Sequence, residues 1–430
     1  MKKPSTRREE HRLGDVLALA EQLRQAFLGD PGVIRAEVCG SVRRFCEVVG
    51  DIDLVVSSQQ PGEVLKRFSK SPLVAHVVDR TEQACTVRLR RPDVPVDVHV
   101  VSDDDFAIAL HQFTGSGAYL KRFSEHARSR GFEVSARGLF QAGAKTPLVD
   151  EIALYEALGL TEVPPEAREV ADALTASTKG EFPAHLVTGA DIRGVVHCHT
   201  TWSDGRDSLE AMARAARIRG MEYMTVTEHS PSANYAGGLT LDKLKRQWDA
   251  IAKAQVKIPG IRLLKGIEVD ILEDGALDLP DSCLEQLDVV IASIHVRHGH
   301  DERQMTARLC RALAHPRVQI LGHPTGRLLH ERDAYAFDLD AVLEAAAEHG
   351  VAVEVNGNPL RLDLSAPMAR RALERGVRLV ASADAHSVAD LDFAQYSVGT
   401  LRKAWARPEE VLNTLPVDAF LTALRPESAR

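Results

Sequence analysis

The chain has 430 residues, 44% hydrophobic and 27% charged, a balance that sustains large buried cores and excludes disorder or a coiled coil as its main state. A formal charge of -8, from 53 Lys and Arg against 61 Asp and Glu, excludes a global positive field, so any nucleic-acid contact has to be local. No run approaches the roughly 18 to 20 apolar residues of a membrane span, the start Met1-Lys2-Lys3-Pro4-Ser5-Thr6-Arg7-Arg8 lacks a signal-peptide core, and six scattered cysteines form no CxxC pair, so a cytoplasmic protein with reduced thiols and no membrane partner is expected.

In chain order, Leu13, Val16, Leu17, Ala20, Leu23 and Phe27 fall at helical spacing, and Gly29-Asp30-Pro31-Gly32 ends that helix. A strand over 33–39, a turn at Gly40-Ser41-Val42-Arg43-Arg44 and a strand over 50–56 follow. Further strands are predicted at 84–89 and 94–101, and 108–131 reads as helical around an interrupting Thr114-Gly115-Ser116-Gly117. The first 160 residues are thus a mixed α+β unit. Val163-Pro164-Pro165, a polar helical stretch and Ser177-Thr178-Lys179-Gly180-Glu181-Phe182-Pro183 mark a connection between units over 163–190. Beyond it, apolar runs at 194–200, 223–229, 263–271, 289–295, 318–323, 351–356 and 379–386 alternate with helical stretches, which reads most simply as a parallel βα barrel. Histidine follows the same division, with six before residue 190 and eleven after it.

In Gly50-Asp51-Ile52-Asp53, the strand period of two puts both carboxylates on one face while Ile52, Leu54 and Val56 point into the core. A third acid, Asp97, lies inside the apolar run Val96-Asp97-Val98-His99-Val100, where an unpaired ionised carboxylate is costly. An isolated DxD is more often a surface turn; the third acid and the upstream Gly40-Ser41 favour a site that holds two Mg²⁺ ions for an in-line phosphoryl displacement. Gly40-Ser41 can offer N–H groups and a hydroxyl to a triphosphate, with Arg44 or Arg43 neutralising its charge.

Through Gly40-Ser41-Val42-Arg43-Arg44 followed by Gly50-Asp51-Ile52-Asp53, the chain resembles the family X DNA polymerases of the nucleotidyltransferase superfamily. The resemblance continues through Val96-Asp97-Val98, Phe113-Thr114-Gly115-Ser116, Gly138-Leu139-Phe140 and Leu154-Tyr155-Glu156-Ala157-Leu158-Gly159-Leu160, covering a palm and a thumb. It implies Asp51, Asp53 and Asp97 as catalytic ligands of Mg²⁺ or Mn²⁺, with Gly40, Ser41, Arg44 and Gly115 near the incoming nucleotide. Three departures accompany it. Members usually carry an N-terminal helix-hairpin-helix region that grips DNA, whereas this chain starts at or just before the palm, so a weaker grip is expected. After Thr114-Gly115-Ser116, bacterial members continue with a Lys and then His-Asn near the base and template, but here Gly117-Ala118-Tyr119-Leu120 follows. Ser124 stands where an Arg that touches the template is common. Lys121, Arg122, Arg128 and Arg130 remain as phosphate contacts or as a solvated helix face.

The later runs share a different feature. His197-Cys198-His199 with Asp204-Gly205, Glu228-His229, Glu268, His295, His323 and Asp384-Ala385-His386 each end or follow an apolar run, and in a βα barrel those ends converge on one mouth. His197, His199, Asp204, His229, Glu268, His295, His323, Asp384 and His386 offer nine nitrogen or oxygen donors, too many for one ion and suited to two or three of Zn²⁺, Mn²⁺ or Fe²⁺. Such a centre favours phosphoester hydrolysis. His197-Cys198-His199-Thr200-Thr201-Trp202-Ser203-Asp204-Gly205 looks like the first motif of the PHP (polymerase and histidinol phosphatase) superfamily, whose fold is a distorted (β/α)7 barrel with a trinuclear centre. The resemblance implies one metal on His197, His199, Glu268 and Asp384, a second on Glu268, His295 and His323, and a third on Asp204, His229 and His386. Glu228 stands where many members have Asp, and Arg327 and Asn356 are expected either at a phosphate or base or in structural loops.

The two resemblances together imply an α+β palm with its N-terminal helix over 1–105, a thumb over 106–162, the connection over 163–190 and a PHP barrel over 191–430. They imply a shortened bacterial family X polymerase that takes dNTPs and gapped or recessed DNA 3' ends and also acts as a 3'-5' exonuclease or 3'-phosphoesterase, in a DNA-repair setting. The rival expectation is a PHP nuclease or phosphatase whose palm is degenerate, template-independent or only docks DNA.

Overall fold

The computed structural model describes residues 10–424; the start Met1 to Arg8, read above for targeting, lies outside them. The chain divides into two compact units between Ala184 and His185. Among the described residues no helix is long and apolar enough to cross a membrane.

In the first unit, helix α1 (Leu13–Leu28) buries Leu13, Val16, Ala20, Leu23 and Phe27, the stripe its sequence spacing defines. Five strands, β1 (Arg35–Cys39), β2 (Ile52–Ser57), β3 (Val74–Arg80), β4 (Ala84–Leu89) and β5 (Pro95–Val101), form one sheet in the order β1-β2-β5-β4-β3. Only β2 and β5 run parallel, and their register pairs Asp53 with Asp97. Residues 40–44 differ from the expected open turn: Gly40–Arg43 forms one helical turn, α2, with Arg44 closing it. Helix α3 (Pro61–Phe68) and edge strand β3, most of it exposed, had no predicted counterpart.

The break at Thr114-Gly115-Ser116 separates α4 (Phe106–Thr114) from α5 (Gly117–Ser129), because the Ser116 hydroxyl accepts from the Tyr119 N–H and starts a new helix. Three short antiparallel strands, β6 (Phe132–Ser135), β7 (Gly138–Gln141) and β8 (Ala144–Thr146), lead to α6 (Glu151–Ala157). The stretch expected to be a connection is largely built into this unit: Val163, Ala173 and Leu174 are buried, and 172–179 is helix α7 (Asp172–Lys179).

A charge network ties these helices together. Arg168 is fully buried and donates to Glu151 Oε1 at 2.5 Å and to the Val163 carbonyl at 2.7 Å, while Arg43 donates to Glu151 Oε2 at 2.5 Å. Burial raises the Glu151 carboxyl, but Arg168 and Arg43 outweigh it and hold it at about 2.

The second unit holds seven parallel strands in sequential order: β9 (Gly194–Val195), β10 (Tyr223–Val226), β11 (Arg262–Asp270), β12 (Val289–Ser293), β13 (Ile320–Leu321), β14 (Ala352–Asn356) and β15 (Leu379–Ser382). Helices α8 (Leu209–Ile218), α9 (Leu241–Lys257), α10 (Glu302–Leu313), α11 (Leu339–His349), α12 (Ala366–Glu374) and α13 (Ala394–Lys403) follow the strands. Four begin at a residue whose side chain accepts from the first turn: Ser208, Thr240, Asp301 and Asp338. Most paired strand segments are shorter than the apolar runs, whose last residues leave the ladder and carry histidines and acids to the C-terminal mouth.

β9 and β15 do not pair along their length. At the mouth a bridge joins Cys198 to Ala385. Below it, buried Asn413 fills the gap, its Nδ2 donating to the carbonyls of Gly194 at 3.0 Å and Ala381 at 2.8 Å, and its Oδ1 accepting from the Ala381 N–H at 3.0 Å.

Two outcomes follow from this packing. Asn413→Leu leaves buried backbone groups of both strands unpaired and is expected to lower the stability of the second unit by ~3 kcal/mol in denaturant unfolding. Glu151→Ala strands a buried guanidinium and is expected to cost the first unit about 3 to 5 kcal/mol. Because the Glu151 carboxyl is held below its ordinary value, that contribution is present in full above pH 4.5 and disappears as pH falls towards 2, which acid unfolding of the wild type against Glu151→Gln measures.

Candidate active sites

In the first unit, Gly40 lies against the second aspartate. Its φ is +62°, and a Cβ there would sit 1.8 Å from Asp53 Oδ2, so this position admits only glycine. Asp53 is the register partner of Cys39 on one side and of Asp97 on the other, with Asp51 just before the strand. Asp97 Oδ1 accepts from the Thr86 hydroxyl on β4. The three carboxylates are half-buried on neighbouring segments, an all-oxygen donor set that fits Mg²⁺ or Mn²⁺, although the clusters whose ligand atoms lie within 4.8 Å of one another among the described residues are all in the second unit.

Of the residues expected near a nucleotide, Gly40 and Ser41 open the α2 turn, while Arg44 is engaged elsewhere: it donates to Glu169 at 2.8 Å and to the Thr114 carbonyl at 2.7 Å. Gly115 follows α4, and the side chain of Leu120 lies over it, 2.8 Å from where a Cβ would be. The apolar residue that replaces a polar one in this segment is therefore packed against its glycine.

In the second unit all nine expected donors meet at the mouth of the barrel. His199, Asp204, His229 and His386 form one group with donor atoms within 4.8 Å; His197, His199 and Asp384 form another; His229, Glu268 and His295 form a third. Glu268 is fully buried and central, with His197, His199, His229, His295 and His323 nitrogens at 3.4, 3.6, 3.0, 3.1 and 2.7 Å from its carboxylate oxygens. This geometry shares His199 and His229 between groups, where the resemblance gives each histidine to a single metal. Burial, together with the charges of His229 and His386, holds His199 at about 3 and thus neutral. His197 Nε2, both ring nitrogens of His199, His229 Nδ1 and Glu268 Oε2 are buried with no hydrogen-bond partner among the described residues. Buried imidazole nitrogens and carboxylate oxygens gathered this closely form a donor set that fits divalent cations.

Two carboxylates absent from the expected set orient these ligands. Glu354 Oε1 accepts from His197 Nδ1 at 2.6 Å, and its Oε2 accepts from the His323 N–H at 2.6 Å. Asp270 Oδ1 lies 3.1 Å from His295 Nδ1. With Nδ1 donating, the lone pair of His197 Nε2 faces the cluster. Both acids sit in apolar strand runs, so the cost argument applied to Asp97 also marks them. Asn356 donates to Glu354 at 3.3 Å and to Asp384 at 3.2 Å, and Arg327 holds the carbonyls of Arg361 and Leu362; both therefore serve the loops and ligands around the centre. Glu228 is buried, accepting from the Thr200 N–H and from the hydroxyls of Thr200 and Ser203. Glu354→Ala is expected to lower divalent-metal affinity about 10- to 100-fold while the far-ultraviolet dichroism is kept, as read by metal titration against a competing chelator.

The DNA polymerase beta thumb model matches residues 109–169, and the PHP domain model matches residues 196–358. Over 419 residues, 96% of this chain and 73% of the relative, the sequence is 34% identical to the DNA polymerase/3'-5' exonuclease PolX of Bacillus subtilis. Over 229 residues, 51% of this chain, it is 30% identical to a probable phosphatase of Thermoanaerobacter sp., covering 89% of that protein, and 31% identical to one of Caldanaerobacter subterraneus, covering 85%. With the paired aspartates of the first unit and the histidine cluster of the second, these likenesses establish that the chain belongs to the family X DNA polymerases, in the branch that carries a PHP domain.

Proposed function

We propose that this chain is a two-site DNA enzyme that extends a DNA 3' end from dNTPs at its first unit and hydrolyses 3'-terminal phosphoesters at its second, as a 3'-5' exonuclease or 3'-phosphoesterase in DNA repair. The observation that carries the reading is the convergence of nine nitrogen and oxygen donors around buried Glu268, in a chain that also sets Asp53 beside Asp97. In this reading the palm spans 1–105, the thumb 106–162 and the PHP barrel 191–430.

At the first unit Asp51, Asp53 and Asp97 would hold Mg²⁺ or Mn²⁺ and position the primer hydroxyl and the triphosphate. Ser41 and the N–H groups of its turn would face the phosphates, with Gly40 letting the backbone lie against Asp53. At the second unit the nine donors would hold two or three of Zn²⁺, Mn²⁺ or Fe²⁺. Bound ions there supply a nucleophile at neutral pH and offset charge on a phosphoryl group. Glu354 and Asp270 fix the rings of His197 and His295, so little reorganisation is needed when phosphate arrives.

A second reading, in which the palm binds DNA or transfers nucleotides without a template, draws on the placement of Arg44 on Glu169 and of Leu120 over Gly115. A 5'-labelled primer, alone or on a gapped template, with and without dNTPs, separates the two. The expected outcome is template-directed lengthening abolished only by Asp51→Ala with Asp53→Ala, and shortening abolished only by His197→Ala with His199→Ala. Shortening with no lengthening, or lengthening that ignores the template, supports the second reading.

A further inference from the structure

Among the described residues, every aromatic side chain but one is buried or half-buried. The exception is Tyr235, 70% exposed, and it stands beside the metal-ligand cluster with its ring centroid 6.4 Å from that of His229. A single exposed ring is ordinary on a surface; what sets Tyr235 apart is its place against His229 at the metal-ligand cluster.

The loop that carries Tyr235 is held firmly. It leaves directly from His229: the Ser230 N–H donates to the Glu268 carbonyl at 3.1 Å, the Ser232 N–H donates to Asp278 at 2.5 Å, and the Leu239 N–H returns to the His229 carbonyl at 2.8 Å. A Cβ on Gly238 would sit 2.0 Å from the Ser230 carbonyl oxygen, so the two limbs of the loop are in backbone contact. The ring is therefore presented by a short closed loop anchored on a metal ligand, which limits the entropy lost when a flat partner lies on it.

The surroundings indicate what that partner is. Partial burial pushes the Tyr235 phenol up, Glu268 and Asp270 add to this and Arg361 opposes it; the Arg361 guanidinium stands 3.5 Å from Asp384. The carboxylates of Asp204, Glu268 and Asp384 repel a phosphate unless cations offset them, and Arg361 beside Asp384 is one such cation. A ligand with a phosphate at the cluster and a flat, uncharged ring beside it matches both features.

We propose that Tyr235 is the stacking platform for the base of the 3'-terminal nucleotide whose phosphoester enters the second site. The inference rests on the phosphoesterase reading above and deepens it: the site holds a terminal nucleotide by its base, of any identity, as well as by its phosphate. Stacking is tolerant of sequence because every base has a π-face.

The test uses the full-length metal-loaded protein without dNTPs, and oligonucleotides ending in a normal nucleotide, in an abasic nucleotide, or in 2-aminopurine joined by a cleavage-resistant phosphorothioate. Tyr235→Ala is expected to raise KM for the normal oligonucleotide about ten- to a hundred-fold with kcat little changed, and to abolish the quenching of 2-aminopurine fluorescence on binding. Tyr235→Phe keeps both. The wild type on the abasic end is expected to behave as Tyr235→Ala does on the normal end. Equal cleavage of normal and abasic ends by the wild type, or unchanged KM and quenching in Tyr235→Ala, overturns the stacking role while leaving the phosphoesterase reading intact. A wild type that removes no nucleotide from any end overturns both.

Discussion

A buried carboxylate is among the least tolerated groups in a protein interior unless opposite charge or metal accompanies it. Glu268 is one, and five imidazoles from four other segments of the barrel come within 3.6 Å of it. The second unit is organised around that constraint. β11 brings the carboxylate to the mouth, neighbouring strands bring histidines to it, and Glu354 and Asp270 behind them complete the hydrogen bonds of His197 and His295. The backbone bends to suit: His323 and Asp384 have φ of +24° and +49°, conformations that residues other than glycine rarely adopt and that cluster at functional sites.

The first unit answers a milder version of the same problem. Asp53 and Asp97 face one another across parallel strands, where like charges repel, and the structure sets a Thr86 hydroxyl on one and the bare backbone of Gly40 against the other. The helical turn that begins at Gly40 is tied through Arg43 to Glu151, and thence to buried Arg168. The turn proposed above to face a nucleotide is thereby joined to α6 and to the residues that follow it.

Much of this was legible in the residues. The seven barrel strands follow the seven apolar runs, because a parallel strand buried on both faces is written as continuous hydrophobicity. The nine donors that meet at the mouth were legible because most sit at or just beyond the end of such a run. α1 and the break at Ser116 were legible from spacing and from a capping hydroxyl. What escaped has physical reasons. β3 is an edge strand with one buried residue of seven, so its sequence carries no alternation to read. The 163–190 stretch looks like a connection because of its prolines and polar residues, yet its first part is tied down by Arg168 and Glu151, a pair 17 residues apart that no local pattern reveals. Asp270, which ends β11 two residues after Glu268, and Glu354, within β14, escaped because their role is to hold histidines from other segments, a pairing no local pattern reveals.

The seam between the first and last barrel strands has one more consequence. His197 and His199 lie on one side of it and Asp384 and His386 on the other, and Asn413 is what holds the two sides together below the mouth. During synthesis the first strand leaves the ribosome long before Asn413 exists, and until then its edge is unpaired, with open N–H and C=O groups that invite pairing with another chain. The nine donors are therefore not all present until His386 has been made, and the two sides are joined below the mouth only when Asn413 follows.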